Sequence, residues 1–246
     1  MTTGAAAIDA ARWFENLKTE LLATNPYEVS AYFTRFGAGQ LSHEQAFGHV
    51  AQNFLILHYF PRIFSGIHAR CDDLEVRKVC ARHLLVEDLG YYRGRVGGTP
   101  DHTELYKWIG DDMGFGREVW DRITPLGETT AVLDFSRRLA HEIPWSAALC
   151  TTALFEEEVV GMSRIVGTAL VRHYGCRPER GGMNYTVHAE VEEEESGDTE
   201  QAVVHHLRTS EDFRAAESAM RELHRLLVAY AAGLEREYAH GGREGS

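Results

Sequence analysis

The chain has 246 residues, of which 44% are hydrophobic, so it is long enough to bury a sizeable core. Its formal net charge of −12 argues against nucleic acid or an anionic membrane as the main partner, because both need clustered Lys and Arg. There is no run of about 18 apolar residues and no basic N-terminal segment typical of a signal peptide, so we expect a cytoplasmic protein. None of the four cysteines forms a CxxC pair, which predicts reduced thiols.

The predicted elements are all helices, because apolar residues recur at helical intervals along most of the chain. The first two helices cover about 8–23 and 26–37. A third begins at the capping residue Ser42, continues to Cys71, and is bent where Pro61 interrupts its hydrogen bonding. Further helices begin at 72 and at 101 or 103, and others cover about 128–174 with a break at Pro144, 181–196 and 210–238.

The sequence carries no convincing strand or hairpin pattern, no repeat of fixed period and no glycine-rich nucleotide-binding motif. These observations predict an all-α protein, a single helical bundle of about seven to nine helices. We expect one domain over residues 1–239, followed by a disordered tail at 240–246.

Helical bundles build sites from inward-facing side chains, and residues three, four or seven positions apart share a helix face. A buried carboxylate is costly unless it is paired or binds metal. Glu158 lies on the apolar stripe of its helix and is therefore a site candidate, whereas Glu156 and Glu157 are expected to turn away from that stripe. Glu87 and Asp88 end a helix where negative charge opposes the helix dipole, which favours a functional reason for them.

The acidic stretch YTVHAEVEEEESGD, residues 185–198, has two interpretations. His188, Glu192 and Glu195 are spaced at i, i+4 and i+7, so they would share one face of a helix and could bind a metal together. The intervening glutamates are better explained as a solvated acidic surface.

Several segments in chain order resemble the haem-oxygenase-like diiron oxidases and oxygenases, over roughly residues 40–230. They are AQNFLILHYFPRIFSGIHARC, then LLVEDLG followed by DHTELYKWIGDDMG, then FEEEVVGMSRIV, and finally NYTVHAEVEEEE. The resemblance implies a haem-oxygenase-like helical bundle, a fold shared with thiaminase-like and pyrroloquinoline-quinone synthase proteins, and it implies a homodimer.

The same resemblance implies a centre of histidines and carboxylates that binds Fe(II), and it suggests which residues are ligands. The implied ligands are Glu87, His102, Glu158, His188, Glu192 and Glu195, with Asp88, Glu157 and Asn53 as weaker candidates. Asn53, at best a weak neutral ligand, stands where the family has a carboxylate, and Glu195 stands where it has a histidine. These departures leave open two irons, one iron or none, with His49, one turn before Asn53, as a weak replacement.

By this resemblance we expect an enzyme that uses Fe(II), as two ions, with O₂ as co-substrate. It would oxidise a small amino acid or a related amine or carboxylate in specialised metabolite biosynthesis, with an external electron donor left open. Arg164, the arginine nearest to Glu158 by spacing, is a weak candidate for binding a substrate carboxylate. Two alternatives remain: a metal-free thiaminase-like or quinone-synthase-like enzyme, which Asn53 and Glu195 favour, and a non-catalytic helical interaction protein.

Overall fold

The computed structural model describes residues 9–185, 187 and 205–239. Every regular element in these residues is helical, apart from one isolated antiparallel bridge between Tyr92 and Arg95. The prediction of an all-α protein is therefore confirmed. The α-helices are α1 (Ala10–Leu22), α2 (Pro26–Val29), α3 (Ala31–Gly37), α4 (His43–Tyr59), α5 (Pro61–Arg70), α6 (Leu74–Leu89), α7 (His102–Met113), α8 (Gly127–His141), α9 (Trp145–His173) and α10 (Ser210–Leu234), with a 3₁₀ helix at Arg117–Arg122 and a π-helical turn at Glu235–Ala239.

Two local signals divide the chain into more helices than expected. Ser30 ends α2 and caps α3, where its hydroxyl accepts a hydrogen bond from the backbone N–H of Phe33. Pro61 begins α5 directly after Phe60, which keeps helical dihedral angles, so α4 and α5 meet at a bend as predicted. The predicted helix at 181–196 is helical at 183–185 and 187, and its remainder lies outside the described residues, as does the predicted disordered tail.

The long helix α9 lies at the centre of the bundle and packs against α1, α2, α3, α5, α8 and α10. Every residue from Ser146 to Phe155 is buried, because a helix that is apolar on all sides can only be stable inside the core. The four cysteines are buried free thiols, as predicted. Across the described ranges, no helix is long and apolar enough to cross a membrane.

Helices α5 and α8 approach each other closely at Gly66, where a side chain would overlap the backbone carbonyl of Ala140. Arg70, one turn later on α5, donates hydrogen bonds to the carbonyls of Leu139 and Ile143 at 2.7 and 2.6 Å. The carbonyl of Leu139 lies in the last turn of α8 and that of Ile143 lies just beyond it, where the helix has no N–H donors of its own left for its carbonyl groups. The glycine and the arginine together fix the crossing of the two helices.

We predict that Gly66→Ala lowers the free energy of unfolding by roughly 1–3 kcal/mol, because the added methyl group must push α8 away. Gly127→Ala is the matched control, since nothing lies within 4 Å of a side chain built at the first residue of α8. The control is expected to be neutral or more stable by up to about 1 kcal/mol. Urea unfolding checks both, and equal stability of Gly66→Ala and the unmodified chain would contradict the close packing.

Candidate metal centre

Glu87 and His102 meet at the ends of α6 and α7. His102 is the first residue of α7, which Asp101 caps by accepting a hydrogen bond from the backbone N–H of Glu104. Glu87 lies in the last turn of α6, which ends at Gly90 in the left-handed conformation. His102 Nδ1 lies 2.5 Å from Glu87 Oε2, and both side chains are buried. The two helix boundaries therefore hold a carboxylate and an imidazole together.

Glu158 is fully buried on α9, as its position on the apolar stripe predicts. Its Oε1 lies 2.6 Å from His224 Nδ1 on α10, whereas its Oε2 has no hydrogen-bond partner among the described residues. Burial raises the pKa of Glu158, and the hydrogen bond with His224 opposes this shift. A buried carboxylate oxygen with no donor is costly in an apolar core, so this atom suits contact with a cation.

Buried tyrosines lie near both carboxylate–histidine pairs. Burial raises the pKa of Tyr106, the hydrogen bond with Asn53 opposes this shift, and the charge of nearby Glu87 adds to it. Burial likewise raises the pKa of Tyr27, with added effects from Glu158 and Tyr106. Within the described ranges, no three His, Cys, Asp or Glu residues come together in an arrangement that could hold a metal. The described residues thus supply two carboxylate–imidazole pairs inside the helical bundle, and both are ligand types that iron prefers.

The other three implied ligands, His188, Glu192 and Glu195, lie outside the described residues. The chain leads toward them through Tyr185, whose buried side chain lies near that of Tyr106. This contact brings residues just before His188 to the same interior that holds the Glu87–His102 pair.

Asn53 is buried on α4, and its Nδ2 donates a hydrogen bond to the hydroxyl of Tyr106 at 2.5 Å. Its amide therefore helps to orient the hydroxyl of Tyr106. His49, one turn earlier, has its ring centre 4.8 Å from that of Phe33, and its Nδ1 lies 3.1 Å from the hydroxyl of Tyr230. Its Nε2 is buried and has no hydrogen-bond partner among the described residues, so His49 stays a weak candidate for a replacement ligand.

The neighbours of Glu158 on α9 face different surroundings. Glu156 contacts a different helix from Glu158, as expected for a residue turned away from the stripe, but its side chain is only 13% exposed and lies 3.4 Å from His83 on α6. Helix α9 is covered on so many sides that little of its surface is left for polar groups. Glu157 is more exposed, and its carboxylate lies 3.9 Å from Lys18, which favours Glu158 over Glu157 as the ligand.

Sequence reasoning missed two histidines: His83, which contacts Glu156, and His224, which contacts Glu158. The spacing of each along its helix nevertheless indicated an inward position. His83 lies four residues before Glu87 and therefore shares its face of α6. His224 lies four residues after Met220 and three before Leu227, both of which are buried, so it falls beside the apolar stripe of α10.

A cavity of about 430 Å³ lies beside the Glu87–His102 pair. Asp88 lies at this cavity, where burial and the charge of Glu87 raise its pKa and Arg62 lowers it. Arg164 is exposed on α9 and is not among the lining residues. The cavity is lined by Leu57, His58, Pro61, Arg62, Ser65, Glu87, Asp88, Asp101, His102 and Thr103.

Solved structures establish the fold. A crystal structure from Shewanella denitrificans, a domain of unknown function with a heme oxygenase-like fold, matches with a TM-score of 0.73 at 15% identity, over 97% of this chain and 98% of that one. A TenA family transcription regulator from Silicibacter sp. TM1040 matches with a TM-score of 0.64 at 13% identity, over 91% and 95%. At these identities the likeness concerns the fold alone, and it confirms the predicted haem-oxygenase-like bundle.

Sequence comparison then gives the family. Residues 47–231 match a family described as iron-containing redox enzymes, and the chain belongs to that family. A 4-aminobenzoate synthase from Chlamydia trachomatis serovar D is 24% identical over 174 residues, which are 70% of this chain and 72% of that protein. A 4-aminobenzoate synthase from Chlamydia muridarum is also 24% identical, over 65% of each chain. The family favours the iron-dependent interpretation over the metal-free and non-catalytic alternatives.

The neutral state of buried His49 gives a pH-dependent prediction. Burial lowers its pKa to about 3, whereas the unfolded imidazole takes up a proton below about pH 6.5. The unfolded state therefore binds more protons between these values, and stability falls as the pH drops through about 6.5.

We predict that the unmodified chain loses roughly 1.4 kcal/mol more unfolding free energy between about pH 7.5 and 5.5 than His49→Gln does. Glutamine cannot titrate, and its side chain can still hydrogen-bond the hydroxyl of Tyr230. Urea unfolding at the two pH values measures the difference, and parallel losses in both proteins would show that His49 is not kept neutral by burial.

Proposed function

We propose that this protein is a non-haem iron oxidoreductase that binds two Fe(II) ions and uses O₂ to oxidise a small amino acid or a related amine or carboxylate. The observation that carries the proposal is the buried Glu87–His102 pair beside a cavity of about 430 Å³. Histidine and carboxylate donors suit iron, and a cavity of this volume suits a small molecule. The homodimer, the cytoplasmic location and the external electron donor remain predictions.

In this proposal Glu87, His102 and Glu158 hold the metal together with His188, Glu192 and Glu195. Bound iron would supply the reduction of O₂ that oxidation of the substrate requires. The protein's own residues orient the ligands: the Asp101 cap fixes the start of α7, and His224 holds one oxygen of Glu158 while the other stays available. Glu87, His102 and Glu158 are themselves buried, which limits the access of water to the ligands.

Two observations favour this function over the alternatives. A metal-free site would leave Glu158 Oε2 buried without a described partner, which an apolar core disfavours. A non-catalytic interaction protein would have no need for a cavity that reaches the buried Glu87–His102 pair. Glu158 and the cavity thus support, by separate arguments, a metal ion and a small-molecule substrate.

We predict that His102→Ala weakens Fe(II) binding by more than about 100-fold, since changes to groups outside the ligand shell already cost 10–100-fold. Anaerobic Fe(II) titration of the metal-free protein should give about two ions per unmodified chain, and O₂ uptake should fall with the iron content. His68→Ala is the matched control, because His68 is exposed on α5. Unchanged iron binding in His102→Ala would refute the ligand assignment.

A second candidate function is formation of 4-aminobenzoate, which the names of the two relatives suggest. This product is both an amine and a carboxylate, so it falls within the proposed chemical class. We expect that, if this chain shares the activity, the iron-loaded protein accumulates 4-aminobenzoate after exposure to O₂, detected by mass spectrometry. Iron- and O₂-dependent consumption of another amino acid, with no 4-aminobenzoate formed, would instead favour the broader proposal alone.

A further inference from the structure

The cavity beside Glu87 and His102 is formed by the end of α4, the start of α5, the end of α6 and the start of α7. Its volume of about 430 Å³ lies toward the small end of the range for ligand sites, which is about 300–1,000 Å³. The ligand must therefore be small, and the charged side chains of the wall decide its chemistry.

Arg62 supplies a positively charged group to this wall. Its Nη1 donates a hydrogen bond to the carbonyl of His58 at 2.7 Å, and its guanidinium lies 5.4 Å from the centre of the Tyr59 ring. These contacts orient the guanidinium, while its remaining N–H groups have no acceptor among the described residues. A guanidinium that is held in one orientation and still has unused N–H donors is suited to binding a carboxylate.

Three carboxylates also line the cavity, and two of them are already engaged. Glu87 contacts His102, and Asp101 accepts the capping hydrogen bond from Glu104 at the start of α7. In the described part of the chain, Asp88 forms neither a hydrogen bond nor an ion pair, although Arg62 lines the same cavity. Asp88 is thus the carboxylate that remains for a positively charged ligand group.

We propose that this cavity binds a zwitterionic α-amino acid, with the substrate carboxylate on Arg62 and the substrate ammonium on Asp88. A simple carboxylic acid would interact with Arg62 alone, and a simple amine would interact with Asp88 alone. An α-amino acid carries both charges within a few atoms and matches both residues. This inference rests on the proposed function, because the amino acid would be the substrate of the iron centre. It also assigns Asp88 to substrate binding rather than to iron binding.

The test is calorimetric titration of the full chain, both metal-free and loaded anaerobically with Fe(II). The probes are the common L-α-amino acids, each compared with its α-carboxamide, which lacks the carboxylate, and its N-acetyl derivative, which lacks the ammonium. We expect at least one amino acid to bind, and both of its derivatives to bind about 10-fold to 100-fold more weakly. Iron content is measured in parallel for every variant.

Two variants test the contact of Arg62 with the ligand carboxylate and the contact of Asp88 with the ligand ammonium one at a time. Arg62→Gln should weaken binding of the amino acid by about 10-fold to 100-fold and leave binding of its carboxamide unchanged. Asp88→Asn should weaken the amino acid similarly, leave the N-acetyl derivative unchanged, and retain iron. Arg214→Gln, at an exposed position on α10, is the matched control and should behave like the unmodified chain.

Several results would overturn the inference: no amino acid binds, the carboxamide binds as tightly as the amino acid, or Asp88→Asn loses iron. Failure of the proposed function looks different, because amino-acid binding would then persist in a chain that takes up no Fe(II). The two failures are therefore distinguished by one set of titrations.

Discussion

The burial of carboxylates inside an apolar helical core is the constraint on which the rest of this structure depends. An ionised carboxylate in such surroundings needs a partner, and Glu87 and Glu158 each meet a histidine from another helix. Asp101 fixes where α7 begins and so where His102 stands, while α10 packs along α9 and brings His224 to Glu158. Helix boundaries and helix packing therefore serve to place charged groups in the interior.

A second device positions the chain just before the proposed ligand His188. Asp112, near the end of α7, has a side chain that is only 3% exposed. It accepts hydrogen bonds from the backbone N–H groups of Arg177 and Gly181, and it also pairs with the guanidinium of Arg177. One buried carboxylate thus ties the segment after α9 to the helix that begins at His102, and this connection supports a single centre shared by both parts of the chain.

The sequence was sufficient for features that depend on local spacing and insufficient for those that depend on distant partners. Helical periodicity and the prolines predicted the bundle, and the apolar stripe of α9 predicted the burial of Glu158. The contact of Glu158 with His224 spans 66 positions, and periodicity alone cannot pair two helices that far apart. The contact of Glu156 with His83 was missed for a related reason, because only packing shows how much of the surface of α9 is covered. The ligand roles themselves, including those of His188, Glu192 and Glu195, remain predictions.

The most direct test of the proposed centre is anomalous diffraction at the iron edge from crystals loaded anaerobically with Fe(II). We expect iron density bonded to both the carboxylate of Glu87 and the imidazole of His102, with Glu158 bound to the same centre. Iron located instead between His83 and Glu156, or density at neither place, would contradict the assignment of the ligands.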